Sequence, residues 1–186
     1  MMRKNFGTKT FLYPQPVLII ASYDENGKPN AMNAAWGGVS DFNQISISLA
    51  KHKTTTNILK NKAFTVSIGT SKMLTSCDYV GLVSQNDVPD KFEKSGFTAT
   101  KSELINAPII NELPLALECE VVEFDEVKEI LVGKIVNVSV DESVLVNGEI
   151  DSSKLDAIVY DPINHNYVAL GDAVGQAFKA GKSLIK

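Results

Sequence analysis

The segment from Ser48 to Asn57 holds the residues best suited to bind an anion. It reads Ser-Leu-Ala-Lys-His-Lys-Thr-Thr-Thr-Asn, which places hydroxyls and two lysines where a strand gives way to a helix. Unpaired backbone N–H groups and the helix dipole favour negative charge at such a helix N-terminus. Thr54, Thr55 and Thr56 therefore predict either an anion-binding turn or an ordinary threonine cap beside solvated lysines, and the pattern alone favours the cap.

Two further side chains have two interpretations each. Trp36, followed by Gly37 and Gly38, is either a core aromatic before a loop or a platform beside a planar ligand, and an isolated tryptophan is more often core. Lys91 follows Pro89 on a short helix, where the pattern alone predicts a surface lysine with its stem on apolar neighbours.

The remaining reactive residue types do not form a recognisable constellation. His52 and His165 lie in neither triad nor metal-ligand spacing. Cys77 and Cys119 are far apart and lack a C-x-x-C motif, so both are predicted to be reduced and buried, and no metal site is indicated. The sequence also lacks the P-loop, the G-x-G-x-x-G fingerprint, the G-x-S-x-G elbow and the H-E-x-x-H motif, which excludes the commonest nucleotide-binding and hydrolytic sites.

Composition predicts a single globular domain over residues 1–186. The chain is 44% hydrophobic and 22% charged, a balance that supports one core. A formal net charge of −4 argues against a nucleic-acid partner. The apolar run at 17–21 is too short for a signal or membrane segment, so the expectation is a cytoplasmic protein with no membrane partner.

Hydrophobic periodicity predicts strands interspersed with short helices. Strands are expected at 17–22, 30–36, 44–50, 63–68, 115–124, 129–140, 157–160 and 167–170, and helices at 54–61, 72–84 and 89–96. Gly81 is expected to mark a close approach within the second helix. Because strands and helices do not alternate regularly, a closed antiparallel barrel is favoured over a doubly wound sheet.

Three ordered blocks resemble the flavoredoxin and flavin reductase-like family. The blocks are Tyr13–Val17 continuing through Gly27–Trp36, then Ser46–Ile58 with Phe64–Val66, and finally Asp78–Ser84 with Asp90–Phe92 and Gly96. The hairpin that contains Gly133 extends the match over most of the chain. The resemblance implies a mainly β fold with short α-helices, an FMN-binding split β-barrel of antiparallel Greek-key type.

The same resemblance implies a set of cofactor-binding residues. The isoalloxazine side would be lined by Asn30, Ala31, Met32, Asn33, Ala35 and Trp36, the ribityl chain by Ser48, Leu49 and Ala50, and the phosphate by Thr54, Thr55 and Thr56. Lys51 also belongs to the cofactor-binding set. Lys91 would contribute charge to the flavin. Tyr167 matches a late aromatic residue of the family, which either touches flavin or fills the end of the barrel.

The function implied is an FMN-dependent oxidoreductase that takes reducing equivalents from NADH, NADPH or another donor. No catalytic acid or base in the protein is needed, since the flavin carries the chemistry. The alternative is a non-enzymatic FMN electron carrier that serves a redox partner protein, and a weaker one is a barrel that binds a different small ligand. The family also implies a homodimer with the flavin near its interface.

Overall fold

The computed structural model describes residues 1–185. Within them the strands are β1 Gln15–Pro16, β2 Leu18–Tyr23, β3 Pro29–Ala34, β4 Gly37–Asp41, β5 Gln44–Ser48, β6 Ala63–Ile68, β7 Ala99–Lys101, β8 Pro108–Ile110, β9 Leu115–Asp125, β10 Ile130–Val140, β11 Leu145–Val146, β12 Glu149–Ile150, β13 Ile158–Asp161 and β14 Asn166–Ala169. The α-helices are α1 Lys53–Asn61, α2 Leu74–Leu82 and α3 Lys91–Lys94, and short 3-10 helices span Glu142–Val144, Ser152–Leu155 and Lys182–Leu184.

A seven-stranded antiparallel sheet dominates the molecule. Its strand order is β3-β2-β6-β9-β10-β5-β4. Side chains from β2, β5, β6, β9 and β10 meet in one buried cluster together with Ile58 of α1, so the sheet curls around a common interior. The order leaves β3 and β4 as the two edges of this half-barrel. A small sheet, β1-β13-β14, lies beside it.

Strand β2 is buried on both faces. Leu18 and Ile20 point into the curl of the sheet, whereas Ile19 and Ala21 point to a second cluster formed with helices α2 and α3. Successive strand side chains face opposite ways, so a strand between two cores reads as a continuous apolar run. This arrangement places α2 and α3 against the outer face of β2 and β3, next to the start of α1.

Two glycines allow close contacts between neighbouring elements, and the sequence predicted one of them. A Cβ on Gly81 of α2 would lie 3.0 Å from the Cβ of Asn33 in β3, which confirms the close approach expected at this glycine. A Cβ on Gly133 of β10 would overlap the ring of Phe64, so the glycine lets this aromatic side chain fill the interior.

The predicted elements are confirmed with boundary changes, and several strands were missed. The helix expected over 54–61 begins one residue earlier, the one expected over 72–84 is shorter at both ends, and the one expected over 89–96 covers only Lys91–Lys94. No strand was predicted directly after Trp36, but Gly37–Asp41 pairs with β5. Its sequence, Gly-Gly-Val-Ser-Asp, lacks the β-branched alternation that marks a strand, and pairing supplies the stability instead.

Both cysteines are buried and free, as predicted. Among residues 1–185, no helix has the length and apolar character required to cross a bilayer.

Candidate functional site

A pocket of about 330 Å³ opens where the start of α1, the end of β3 and the segment after α2 meet. We call it the α1–α2 pocket. It is lined by Met32, Asn33, His52, Lys53, Thr54, residues 80–85, Asp87 and Lys91. Sequence reasoning had assigned several of these residues to one ligand, and the fold brings them together from distant parts of the chain.

Thr54 is the threonine of the triplet that lines the pocket. Its Oγ1 accepts a hydrogen bond of 2.8 Å from Nδ2 of the fully buried Asn30. If Thr54 instead donated to the Asn30 carbonyl oxygen, the two N–H groups of the Asn30 amide would have no acceptor in the core. That arrangement would cost more than the observed one, in which only Asn30 Oδ1 lacks a partner. The Thr54 hydroxyl hydrogen is therefore free to be donated to a ligand in the pocket.

Thr55 and Thr56 differ from Thr54 in what their hydroxyls do. Thr55 is buried and donates to the carbonyl of Ala50 at 2.8 Å, which pins the loop before α1. Thr56 is exposed and donates to the carbonyl of His52 at 3.3 Å. Both hydroxyl hydrogens already have protein acceptors, so among the three threonines predicted as candidates for phosphate contact, Thr54 is the one whose hydroxyl has no such acceptor among residues 1–185.

The first turn of α1 supplies backbone donors. The N-cap is His52, which makes no side-chain capping bond, so the prediction of a threonine cap was wrong. The first intrahelical bond runs from Thr56 N to His52 O, so the N–H groups of residues 53–55 have no acceptor within the helix. Lys53 at this turn pairs with Glu25 at 2.8 Å and thereby lowers the pKa of that carboxyl group.

Lys91 is a buried cation with no anionic partner among residues 1–185. Its side chain is only 2% exposed, so the prediction of a surface lysine was wrong. The ammonium donates to the carbonyls of Val80 at 3.0 Å and Val83 at 2.7 Å, and among residues 1–185 it forms no salt bridge. An ammonium has three N–H donors, so one remains for a ligand. Burial lowers the pKa of Lys91 to about 8.

Asn33, which lines the pocket, contacts Tyr167, which lies outside the lining residues. Asn33 Nδ2 lies 3.0 Å from the Cys77 carbonyl and 3.3 Å from Tyr167 Oη. Tyr167 in turn donates to Asp78 Oδ1 at 2.8 Å. Burial and this carboxylate raise the pKa of Tyr167, which keeps the phenol protonated and able to donate. Tyr167 is half-buried against the second core cluster, so it packs the end of the barrel and also reaches a pocket residue.

A second concavity, the Trp36 groove, adjoins the end of β3. It has a volume of about 710 Å³ and is lined by residues 9–12, Pro14, Gln15, Pro16, Ala35, Trp36 and Gly37. Trp36 is 56% exposed, which contradicts the core interpretation of this tryptophan. Ala35 and Trp36 therefore border a different cavity from Met32 and Asn33, which line the α1–α2 pocket.

Five further predicted site residues line neither of these two cavities. Ala31 and Leu49 point into core clusters and are at most 1% exposed. The N–H of Ser48 is bonded to the Trp36 carbonyl, and that of Leu49 to the Glu129 carbonyl. Ala50 and Lys51 are exposed beside α1, outside the residues that line the α1–α2 pocket.

The segment after α2 was missed as part of the site. Val83, Gln85 and Asp87 line the α1–α2 pocket although no site role was predicted for them. The signal available in the sequence was Gly81, since a glycine inside a helix commonly marks a close backbone approach.

Comparison with known proteins places the chain in one family. Residues 10–161 match the model of the flavin reductase-like domain. Flavoredoxin of Desulfovibrio vulgaris (Miyazaki F) is 35% identical, with a TM-score of 0.92 over 97% of this chain and 100% of that one. Flavoredoxin from Methanosarcina acetivorans is 32% identical, with a TM-score of 0.89 over the full length of both chains. These likenesses confirm the predicted split-barrel fold.

An uncharacterized protein of Aeropyrum pernix is a more distant relative. It is 27% identical over 119 residues, which span 62% of this chain and 44% of that protein. The chain therefore matches less than half the length of this curated relative.

Proposed function

Because the chain belongs to the flavin reductase-like family, we propose that it is an FMN-dependent oxidoreductase that takes reducing equivalents from NADH, NADPH or another donor. The observation that carries this proposal is Lys91, a buried ammonium at the wall of the α1–α2 pocket that has no acidic partner in the described part of the chain. Buried charges in proteins are normally paired, so this cation calls for an anion in the pocket. FMN carries one on its phosphate.

The donor set of the pocket fits a phosphorylated ligand. Thr54 offers a free hydroxyl hydrogen, the first turn of α1 offers backbone N–H groups, and Lys91 offers its third N–H. Each of these groups is a donor, and hydrogen bonds from a cation to a phosphate oxygen are stronger than those between neutral groups. The fold thus holds these donors in place before the ligand binds.

When bound, flavin supplies the redox chemistry, because it accepts a hydride or single electrons. The protein residues bind, orient and shield it. Met32, Val80 and Leu82 line the same pocket and supply apolar walls beside the polar donors. The cofactor-binding set predicted from the sequence stays a prediction, with Thr54, Asn33, Met32 and Lys91 in direct reach of the pocket.

A visible absorption spectrum under anaerobic conditions tests the proposal. Protein loaded with FMN is expected to lose its yellow colour on addition of NADH or NADPH, at a rate well above that of free FMN with the same donor. Flavin that binds but remains oxidised with both donors would contradict reduction by a nicotinamide donor and favour the electron carrier.

The carrier is a second candidate, because two structures that resemble this chain along nearly its whole length are flavoredoxins. A carrier exchanges electrons through bound flavin and does not sustain turnover of free flavin. Steady consumption of NADH or NADPH with excess FMN separates the two: a reductase supports it and a carrier does not.

We further propose that a second copy of the chain covers the Trp36 groove, so that the protein is a homodimer with flavin near its interface. Phe11, Leu12 and Trp36 are exposed around this groove, and an apolar surface of this kind is typical of an interaction site. Sedimentation of the FMN-loaded protein tests this arrangement. A stable monomer at micromolar concentration would contradict it. A redox partner protein and a cytoplasmic location remain further proposals.

A further inference from the structure

The hydrogen bonds around Asn33 allow only one direction of donation. The Cys77 carbonyl has no hydrogen to donate, so the Asn33 atom 3.0 Å from it must be the amide nitrogen. Tyr167 gives its hydroxyl hydrogen to the Asp78 carboxylate, so its oxygen can only accept from Asn33. Both N–H groups of the Asn33 amide are therefore committed to protein acceptors.

One polar atom of the Asn33 side chain remains for a ligand. Asn33 Oδ1 accepts no hydrogen bond within residues 1–185, and it is absent from the buried polar atoms that lack a partner. The atom is thus open to solvent, and Asn33 lines the α1–α2 pocket. Asn33, a residue of the pocket wall, thus carries a solvent-accessible hydrogen-bond acceptor whose amide is held by the protein.

The network that fixes the acceptor joins three separate elements. Asn33 lies on β3, Cys77 and Asp78 lie on α2, and Tyr167 lies on β14. Gly81 permits the approach of α2 to Asn33, since a Cβ there would be 3.0 Å from the Asn33 Cβ. Without the Tyr167 hydroxyl, one Asn33 N–H would lose its acceptor, and the Cys77 carbonyl alone would hold the amide, so Oδ1 would be fixed less firmly.

We propose that Tyr167 is a positioning residue: together with Asp78 it holds the Asn33 amide so that Oδ1 accepts a hydrogen bond from an N–H group of the bound flavin ring. This inference rests on the proposed binding of FMN. The isoalloxazine ring of oxidised flavin has a single N–H, the imide at N3, so the ring edge that meets Asn33 is the imide edge. Tyr167 itself acts through Asn33 and needs no contact with the ligand.

A comparison of FMN with 3-methyl-FMN tests the inference, because the methyl group removes the imide donor. The measurement is the dissociation constant of each flavin by fluorescence titration of apoprotein, for wild type and Tyr167→Phe. Wild type is expected to prefer FMN by about tenfold, the value of one well-placed hydrogen bond. Tyr167→Phe is expected to bind FMN several times more weakly and to show a clearly smaller preference, because only the Cys77 carbonyl still orients Asn33.

Tyr160→Phe is the matched control. Tyr160 lies opposite Tyr167 in the β13–β14 pair, with ring centroids 6.1 Å apart, but its hydroxyl contacts only His165. This variant loses the same atom from the same small sheet and is expected to retain the wild-type preference. Thermal unfolding of both variants reports any change in stability.

The outcomes separate the inference from the proposed function. If wild type binds neither flavin, the FMN proposal fails. If wild type binds both flavins equally, or if Tyr167→Phe weakens both to the same extent and keeps the preference, FMN binding stands and the positioning role of Tyr167 is overturned. A clearly smaller preference in Tyr167→Phe but not in Tyr160→Phe supports it.

Discussion

The α1–α2 pocket is lined in part by residues of β3, and the Trp36 groove by the residues that directly follow this strand. The two cavities differ in the polarity of their side chains and in how those side chains are held. In the pocket, Thr54, Asn33 and Lys91 are each fixed by hydrogen bonds to other parts of the chain. In the groove, Phe11, Leu12 and Trp36 are exposed apolar side chains. This difference indicates that a single chain supplies and positions the groups that bind a charged ligand in the pocket. The apolar groove is instead suited to be covered by another protein surface.

Loss of the Lys91 charge is expected to have the largest effect on FMN binding in the α1–α2 pocket. Lys91→Met removes the buried cation, and we expect the FMN affinity to fall by about 10- to 100-fold, the range for a charge-assisted hydrogen bond. The free protein also loses the donor to the carbonyls of Val80 and Val83, so some loss of stability is expected. Isothermal titration with FMN at pH 7 measures the affinity.

Lys94→Met is the control for Lys91, since Lys94 lies on the same helix, is exposed and pairs with Asp90. It should bind FMN as wild type does. Equal FMN affinities for the Lys91 and Lys94 variants would show that the buried cation does not meet the ligand.

The three threonines provide a sharper division within the pocket. Thr54→Val removes the free donor and is expected to weaken FMN binding about tenfold, whereas Thr54→Ser keeps the hydroxyl and most of the affinity. Thr55→Val breaks the bond to Ala50 and is expected to lower the free energy of unfolding by about 1 kcal/mol with less effect on affinity. Thr56→Val is expected to change neither.

FMN titration and urea unfolding of the same threonine variants check both effects. A larger loss of affinity in Thr55→Val than in Thr54→Val would contradict the assignment of the ligand donor to Thr54.

The pH dependence of binding follows from the pKa of Lys91, about 8 in the free protein. Burial lowers this pKa because it disfavours the charged ammonium in the folded protein. Keeping Lys91 charged below pH 8 therefore costs folding free energy, and the folded state becomes more stable as the pH rises and Lys91 loses its proton. An anion favours the charged form, so binding takes up a proton near pH 8. We expect FMN affinity to fall by up to about tenfold between pH 7 and pH 9.

The same pH titration of Lys91→Met is the control, because His52, Lys53 and Asp87 also line the pocket. Its FMN affinity should be nearly level over this range. A pH profile that Lys91→Met shares with wild type would assign the titration to another group.

The smallest expected effect concerns the groove. Trp36 is the only tryptophan of the chain and is exposed in one copy, so its fluorescence reports on the groove alone. If a second copy covers the groove, the emission shifts to shorter wavelength as protein concentration rises. An emission maximum that stays constant while sedimentation shows a dimer would place the interface elsewhere.

Local pattern predicted most of the elements because their signals are strong. Strand β2 lies between two cores and reads as an unbroken apolar run, and β9 and β10 form a long alternating hairpin around Asp125. Strand β4 was missed because Gly37–Asp41 depends on pairing with β5 and not on its own residues.

The site was less predictable, since its polarity depends on contacts between distant residues. No local pattern distinguishes Thr54 from Thr55; the distinction comes from Asn30, which is 24 positions away. Lys91 looked like a surface residue because its burial depends on the carbonyls of Val80 and Val83 at the end of α2. Family resemblance directed attention to both residues, but the hydrogen bonds specify what each can donate.

The central claim is that the α1–α2 pocket binds the phosphate of a flavin, and the affinity of apoprotein for FMN against riboflavin tests it most directly. The two flavins share the ring and the ribityl chain and differ in the phosphate. With Lys91, Thr54 and the first turn of α1 as donors, we expect FMN to bind at least about 100-fold more tightly. Equal dissociation constants for FMN and riboflavin would contradict the claim.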